Sequence, residues 1–292
     1  MAKFRVRRWW ALSLLQGSYG RKTMYPPLKD VDLVIVLPKN LAHLRTDPQG
    51  PAKAMAAFEH ALVASGRLLG AQFDLGGASP HALQMSIPGV PFTFDLVPAF
   101  ETEDPNWLVI ADRKKQRWDK RSDVRALRNK VVARNLLSKA RWVPQVRMDK
   151  HAMRQNLAVK ALVCGLIIES LAYDAVHGPL TPQKAIAATF AQGSRVLTGS
   201  YKGLAQDDLT AKWTPGERQQ VVAFFQQNHR RAEEARKYEA TGDTAASSSM
   251  WREILGQEFP QVEVTFTDRL SATARLGGGL TSTGRLTTSP AA

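Results

Sequence analysis

The first hundred residues alternate between short apolar runs and amphipathic stretches, a pattern typical of strands mixed with helices. Apolar runs of strand length occupy residues 10–16 and 31–37. Between residues 51 and 69, large apolar side chains recur at helical spacing after a proline, which predicts a helix. Residues 81–100 hold two more apolar runs separated by a Pro-Gly pair, which predicts a hairpin.

The pattern becomes helical from about residue 122 onward. Residues 162–176 are apolar nearly all round, which predicts a central buried helix, and residues 217–238 are amphipathic. The stretch at 162–176 is shorter than the roughly 20 residues that a membrane span needs, so we expect no membrane segment. After Pro260 the chain is rich in Thr, Ser, Gly and Ala, which predicts a flexible tail over residues 261–292.

Positive charge is concentrated in one part of the chain, which has 292 residues and a formal net charge of +14. Residues 112–150 contain fourteen Lys or Arg against four Asp. Such a segment attracts phosphates, either of nucleotides or of a nucleic-acid activator, although a solvated helix surface is the alternative reading. Glu169 lies within the predicted apolar helix and must be paired, and we expect an Arg of this basic segment as its partner. The single cysteine, Cys164, excludes an internal disulfide, suggests a small buried hydrophobic side chain and fits a cytoplasmic protein.

Two aspartates open the apolar run at residues 31–37. Because side chains alternate across a strand, Asp30 and Asp32 face the same side, where without a counter-ion their carboxylates repel each other and one pKa rises. Asp95, in "PFTFDLVPAF", is a third carboxylate among apolar neighbours. Three carboxylates on neighbouring strands can hold two Mg²⁺ ions about 4 Å apart, with Mn²⁺ as a substitute, the arrangement that serves in-line phosphoryl transfer. The alternative is an Asp pair that caps a turn, with Asp95 in a structural hydrogen bond.

A Gly-Ser turn precedes the aspartate pair by about a dozen residues. Gly17 lets the backbone approach a ligand, and Ser18 offers a hydroxyl and an amide that bind phosphate oxygens. Arg21 and Lys22 add positive charge nearby. We therefore predict that the turn and one metal hold the triphosphate of a nucleotide, while the other metal polarises an acceptor hydroxyl for attack on the α-phosphate and pyrophosphate leaves. Tyr201 is a candidate to stack on a base, although a loop or core tyrosine is an equal alternative.

Gly-Ser, then Asp-x-Asp, then a third Asp resembles the signature of the polymerase β-like nucleotidyltransferase superfamily. More narrowly, the chain resembles the bacterial cGAS/DncV-like nucleotidyltransferases (CD-NTases) in "GSYGRKTMYPP" and "DVDLVIVL", followed by "FDLVPAF". Four later stretches fit the same pattern, namely "WLVIADRKKQRW", "VPQVRMDKH", "IIESLAYDAV" and "MWREILGQEFP". The resemblance runs in order from about residue 10 to residue 260.

The resemblance implies an α+β, bilobed fold in which a mixed β-sheet nucleotidyltransferase core packs on a helical second lobe. We expect the catalytic core over residues 1–121 and the helical lobe over residues 122–260, with the active site in the cleft. It also implies that Gly17 and Ser18 bind the triphosphate, that the three aspartates bind Mg²⁺, and that Lys150 is a contact from the second lobe to nucleotide phosphate.

The resemblance implies a cytoplasmic enzyme of anti-phage signalling that joins NTPs into a cyclic di- or oligonucleotide second messenger. A second hypothesis is template-independent nucleotide addition to an RNA end or another acceptor, which the basic segment favours slightly. A third is a catalytically decayed nucleotide- or nucleic-acid-binding protein, because only 16 residues precede the Gly-Ser turn. The sequence leaves a regulatory protein partner open.

Overall fold

The computed structural model describes residues 12–76, 79–104, 107–122, 124–204 and 208–262. In chain order, its elements are β1 Leu12–Leu15, α1 Gly17–Gly20, β2 Asp30–Val36, a 3-10 helix Lys39–Arg45, α2 Gly50–Leu69, β3 Asp74–Gly76, β4 Leu83–Ser86, β5 Thr93–Glu101, β6 Trp107–Asp112, β7 Arg117–Ser122, α3 Val124–Leu137, α4 Trp142–Gln155, α5 Leu157–Lys160, α6 Gly165–Ala175, α7 Pro182–Val196, α8 Pro215–Thr241 and α9 Thr244–Leu255. The predicted change from mixed structure to helices near residue 122 is confirmed.

The described strands form one mixed sheet. Its main path runs β1-β2-β5-β4-β3, with β2 and β5 parallel and the other pairs antiparallel. Strand β2 pairs with one edge of β5. On the other edge of β5, β4 pairs with the first part of the strand and β6 with its last part, and β7 pairs with the free edge of β6. The predicted hairpin of residues 81–100 is the antiparallel pair of β4 and β5.

Alternation along β2 and β5 divides the sheet into an apolar face and a face that carries acidic groups. On the apolar face, Ile35 and Leu96 pack against Met55 and Phe58 of α2. Burying these side chains gives α2 its place on the sheet, because apolar area removed from water contributes about 25 cal/mol per Å². The aspartates of β2 have the opposite parity and therefore point away from α2, as the sequence pattern predicts.

The helices after β7 have a core of their own. Trp142 of α4 is fully buried beside Leu127, Val131 and Val146, and its indole N–H donates to the carbonyl of Ala172 on α6. The predicted helix at 162–176 begins later than expected, at Gly165, and its middle is buried as predicted. None of the described helices is long and apolar enough to cross a membrane.

Contacts between residues divide the chain into two units, residues 1–229 and residues 230–292. In the second unit, Asp243 caps α9 by accepting a hydrogen bond from the Ala246 amide, and Arg231 pairs with Glu253 at 2.8 Å. The division of the chain at residues 121 and 122 stays a prediction. From residue 263 onward, the predicted flexible tail lies outside the described residues.

Candidate active site

The three predicted aspartates meet on one face of the sheet. In the parallel pair of β2 and β5, Asp32 is in register with Asp95, and Asp30 is in register with Thr93. Residues in register on parallel neighbours project to the same face, so Asp30, Asp32 and Asp95 share the face opposite α2. Asp95 also accepts a hydrogen bond from the Gln84 side-chain amide of β4 at 3.4 Å. Tertiary pairing thus brings together carboxylates that lie more than sixty residues apart in the sequence.

Burial and mutual repulsion both disfavour the charged form of Asp32. Burial first, and then the charges of Asp30 and Asp95, together raise the pKa of Asp32 to about 6, whereas Arg21 acts in the opposite direction. A carboxylate whose charged form is disfavoured by burial and by like charges is a good ligand for a hard divalent cation, which removes both penalties. The donor chemistry of the three side chains therefore fits Mg²⁺ or Mn²⁺.

The Gly-Ser turn lies directly against this acidic group. The amide of Gln16 donates to the carbonyl of Asp32 at 2.8 Å, and α1 starts at Gly17. Gly17 has φ +63°, and a Cβ atom there would be 1.8 Å from Oδ2 of Asp32. Only glycine fits this position, because any side chain would both adopt a strained backbone and overlap the carboxylate. The bare backbone of Gly17 therefore lies directly against Asp32, and its approach to a ligand stays a prediction.

A cavity of about 530 Å³ provides room for a ligand beside the turn and the acidic strand. Five of the predicted site residues line it, namely Ser18, Arg21, Asp30, Asp32 and Lys150. Its volume falls within the roughly 300–1,000 Å³ of small-molecule sites. Asp95 and Gly17 are not in the lining, but they contact the site through Asp32.

Glu169 is the centre of a buried ion cluster at the wall of this cavity. Its Oε2 accepts from Nε of Arg21 at 2.6 Å, and its Oε1 accepts from Nζ of Lys150 at 2.7 Å and from the hydroxyl of Thr23 at 2.8 Å. Although burial acts to raise it, the pKa of Glu169 is lowered by the two cations. Burial lowers the pKa of Lys150, against the attraction of Glu169. Because Arg21 and Lys150 both donate hydrogen bonds to the Glu169 carboxylate, we assign all three side chains as charged.

The prediction that Glu169 pairs with an Arg of the basic segment is thus half right. Lys150 belongs to the basic segment, but the arginine comes from the Gly-Ser turn. Lys22, the second basic residue of the turn, is exposed and outside the cavity lining, and its carbonyl accepts a hydrogen bond from Arg147 at 2.8 Å.

The structure does not bring Tyr201 to the cavity. Its side chain is buried, and its hydroxyl donates to Oδ2 of Asp174 at 2.7 Å. Burial and this hydrogen bond raise the pKa of the Tyr201 phenol. An exposed ring face is needed for stacking on a base, so we leave Tyr201 out of the proposed site, in line with the alternative of a core tyrosine.

Several cavity residues were missed by the sequence analysis. Tyr25 lines the cavity, and the guanidinium of Arg154 lies 4.7 Å from its ring centroid. Lys160 adds another cation to the lining. The signal for Tyr25 was its place between the Gly-Ser turn and the aspartate pair, a segment that has to cross the site. Cys164, predicted to be buried, is exposed and lines the cavity, because it precedes α6 rather than lying inside it.

A different group of side chains has tight metal-ligand spacing. Among the described residues, one ligand atom each of His81, Asp112 and Asp119 lies within 4.8 Å of the others, a spacing that the three predicted aspartates do not share. This group lies where β6 and β7 meet the loop before β4, and none of its members lines the cavity. Arg117 pairs with Asp119 at 2.7 Å, so one of its carboxylates already has a cationic partner.

Much of the basic segment takes part in internal contacts. Arg125 pairs with Glu101 at 3.0 Å, and the Arg134 guanidinium lies 4.2 Å from the ring centroid of Tyr173. Arg128, Lys139 and Arg141 are exposed. Lys114, Lys115, Arg117 and Arg147 are exposed as well, so a nucleic acid could contact several basic side chains among the described residues of the segment.

No protein-family model matches the sequence, and no curated protein matches it at a significant level. Solved structures of three bacterial proteins match the fold. Escherichia coli MS115-1 CdnC, solved in complex with HORMA-deltaN, is 12% identical with a TM-score of 0.64, and the match covers 88% of this chain and 85% of that one.

Vibrio cholerae DncV cyclic AMP-GMP synthase, solved with the linear intermediate 5′ pppA(3′,5′)pG, is 11% identical with a TM-score of 0.61, over 85% of this chain and 69% of that one. The STING-associated CdnE c-di-GMP synthase of Capnocytophaga granulosa is 12% identical with a TM-score of 0.55, over 76% and 74%. These likenesses confirm the α+β fold class and show that the chain has the fold of these proteins.

Proposed function

We propose that this chain, which has the fold of the bacterial cGAS/DncV-like nucleotidyltransferases, is a metal-dependent nucleotidyltransferase that joins NTPs into a cyclic di- or oligonucleotide. The observation that carries the proposal is that Asp32 is in register with Asp95 and lies against Gly17, a position that only glycine can occupy. Burial and the neighbouring carboxylates disfavour the charge of Asp32, so a bound cation would relieve a cost that the protein alone does not offset. The aspartates are suited to a triphosphate that arrives with divalent cations.

Each group has a task in this reaction. Asp30, Asp32 and Asp95 would hold two Mg²⁺ ions, for which Mn²⁺ can substitute, and the bound ions would neutralise phosphate charge and favour loss of the acceptor hydroxyl proton. The Ser18 hydroxyl and the turn beside it bind phosphate oxygens of the donor nucleotide. Its α-phosphorus is thereby held in the cavity for the hydroxyl oxygen of a second nucleotide.

Two rounds of the same displacement would give a ring. In the first, a ribose hydroxyl oxygen of the acceptor bonds to the α-phosphorus of the donor, the bond to the β-phosphate oxygen breaks, and pyrophosphate leaves. The linear product then turns in the cavity, so that its own remaining triphosphate is attacked by its free ribose hydroxyl. A second pyrophosphate leaves and the ring closes. One set of aspartates would serve both rounds, because Asp30 and Asp32 line the cavity that would hold both reactants.

The test is a product analysis with purified protein, four radiolabelled NTPs and Mg²⁺ or Mn²⁺, followed by phosphatase treatment and mass spectrometry. A phosphatase-resistant product without free ends supports cyclisation. A product that forms only when RNA is added supports nucleotide addition to an RNA end, and no product under any condition supports a nucleotide-binding protein. Asp32→Asn should abolish product, whereas the same change at Asp149, which is buried on α4 outside the cavity lining, should not.

The cellular role rests on the same likeness. We propose that the protein works in the cytoplasm in anti-phage signalling. A regulatory protein is a plausible partner because the similar CdnC was solved in complex with HORMA-deltaN. A nucleic-acid activator would contact the exposed basic side chains of the segment, so charge reversal at Arg128, Lys139 and Arg141 should weaken any stimulation by added nucleic acid while leaving the rate without it unchanged.

A further inference from the structure

We infer that Glu169 is a positioning residue, which anchors the segment after the Gly-Ser turn to the helices, and that Lys150 serves this anchor instead of binding nucleotide phosphate. The inference rests on the proposed function for its catalytic consequence but not for its structural one. It revises the role that the sequence resemblance implies for Lys150.

Glu169 has both carboxylate oxygens engaged by residues of the turn. Its side chain is fully buried in the middle of α6. Arg21 donates to Oε2 at 2.6 Å, and Thr23 donates to Oε1 at 2.8 Å. Two residues of one short loop therefore depend on a single carboxylate from a helix that follows almost 150 residues later. A charged acceptor makes such hydrogen bonds about twice as strong as neutral ones.

Lys150 has all three of its donors directed into the same cluster. Its Nζ lies 2.7 Å from Oε1 of Glu169, 3.0 Å from the carbonyl of Thr23 and 3.3 Å from the Thr23 hydroxyl. An ammonium group has three N–H bonds, so this geometry leaves none for a phosphate. Gly165 makes room for the lysine, because a Cβ atom at that position would be 3.3 Å from Nζ.

The loop is held at its other points as well. Arg147 of α4 donates to the carbonyl of Lys22 at 2.8 and 3.2 Å. On the opposite side, the Gln16 amide donates to the Asp32 carbonyl. Residues 16–23 are thus fixed to the acidic strand at one end and to α4 and α6 at the other. Glu169 is the only carboxylate bonded to this loop among the described residues, and it determines where the phosphate-binding turn lies relative to the aspartates.

The experiment separates an anchor from a phosphate contact. The variants are Glu169→Gln and Lys150→Met, and the control is Asp149→Asn, the same carboxyl-to-amide change in a buried side chain of α4. Hydrogen exchange of peptides covering residues 16–25 is measured without ligand, and binding of a non-hydrolysable ATP analogue is measured with Mg²⁺. Where product forms, KM and kcat are measured separately.

If Glu169 and Lys150 anchor the loop, both variants should speed amide hydrogen exchange in the loop by about tenfold. Loss of one charged hydrogen bond lowers the free energy of loop opening, so the open state becomes more frequent by about that factor. Analogue affinity should fall about tenfold, and KM should rise more than kcat falls, because the turn loses its position but not its groups. Asp149→Asn should change neither quantity.

Two results would overturn the inference. One is a folded Glu169→Gln protein with unchanged loop exchange and affinity. The other is a Lys150→Met protein with weakened affinity but unchanged exchange, the behaviour of a direct phosphate contact. If Glu169→Gln does not fold, Thr23→Val removes one donor to Glu169 at similar shape and must give the same exchange effect in milder form. Loop exchange is independent of turnover, so a wild-type protein without product would refute the proposed function and leave this inference testable.

Discussion

Replacing Asp32 by asparagine should stabilise the protein when no metal is present. The substitution keeps the shape of the side chain and removes a charge that burial, Asp30 and Asp95 all oppose. The difference between a pKa of about 6 and the ordinary value of 3.8 corresponds to about 3 kcal/mol for a fully buried group. Solvent reaches Asp32, and screening reduces the expected gain to about 1–2 kcal/mol.

The gain should depend on pH in a direction that the raised pKa determines. The pKa of Asp32 is higher in the folded chain than in the unfolded chain. Such a group does not lower the free energy of unfolding at pH values below 3.8, and it lowers it progressively as pH rises from 3.8 through about 6. The advantage of Asp32→Asn should therefore be complete above pH 7 and absent near pH 4. Catalysis should be lost at every pH.

The assay is urea unfolding of the metal-free protein in EDTA at pH 4, 6 and 7.5. Asp47→Asn is the matched control, because Asp47 is partly exposed and its pKa is lowered by Lys53, so the same change there should not stabilise. In a thermal scan, the Asp32→Asn gain should appear as about 2–4 °C per kcal/mol. A variant that unfolds more easily than wild type at pH 7.5 would show that Asp32 is a structural residue and refute the reasoning.

Three further predictions test the surroundings of Asp32. Gly17→Ala should lower turnover by about 100-fold, because its Cβ would overlap the Asp32 carboxylate and displace the turn. Gly89→Ala is the control and should leave turnover unchanged, because Gly89 also has a positive φ, +81°, but no atom lies within 4 Å of its added Cβ. Burial raises the pKa of Asp149, although hydrogen bonds from Gln145 and Thr189 act to lower it, and its Oδ2 has no hydrogen-bond partner. Asp149→Asn should therefore be more stable than wild type at pH 8, and this advantage should fade as pH falls toward 3.8. Equal urea midpoints of the two proteins at pH 8 would contradict this. Mg²⁺ and a non-hydrolysable NTP together should raise Tm by more than the sum of their separate shifts and slow thiol labelling of Cys164, whereas additive shifts would argue against a shared site.

The parts of the site that follow from local pattern could be predicted from the sequence. Strand alternation places Asp30 and Asp32 on one face, and Gly-Ser before them indicates a turn. The register of Asp32 with Asp95 could not be derived, because strands paired across sixty residues are matched by tertiary packing. Their meeting was a hypothesis that the parallel pair of β2 and β5 supports.

The features that the sequence analysis did not predict depend on the tertiary structure. Tyr201, which lies between α7 and α8, is buried and donates a hydrogen bond to Asp174 on α6, a contact that no local pattern reveals. Cys164 adjoins an apolar run, but the helix starts one residue later and leaves the thiol exposed. Glu169 required a cation, and its apolar context could not indicate that one of its two cations is Arg21.

Arg21 connects two charged groups that would otherwise be independent. It pairs with Glu169 on the helical side of the cavity, and its charge lowers the pKa of Asp32 on the sheet side. A triphosphate alone would be repelled by the three carboxylates, and divalent cations alone would lack the phosphate oxygens that complete their coordination. Each ligand therefore increases the affinity for the other, and by linkage the effect is equal in both directions. The turn of residues 16–23 contacts both groups, so its position determines how strongly they are coupled.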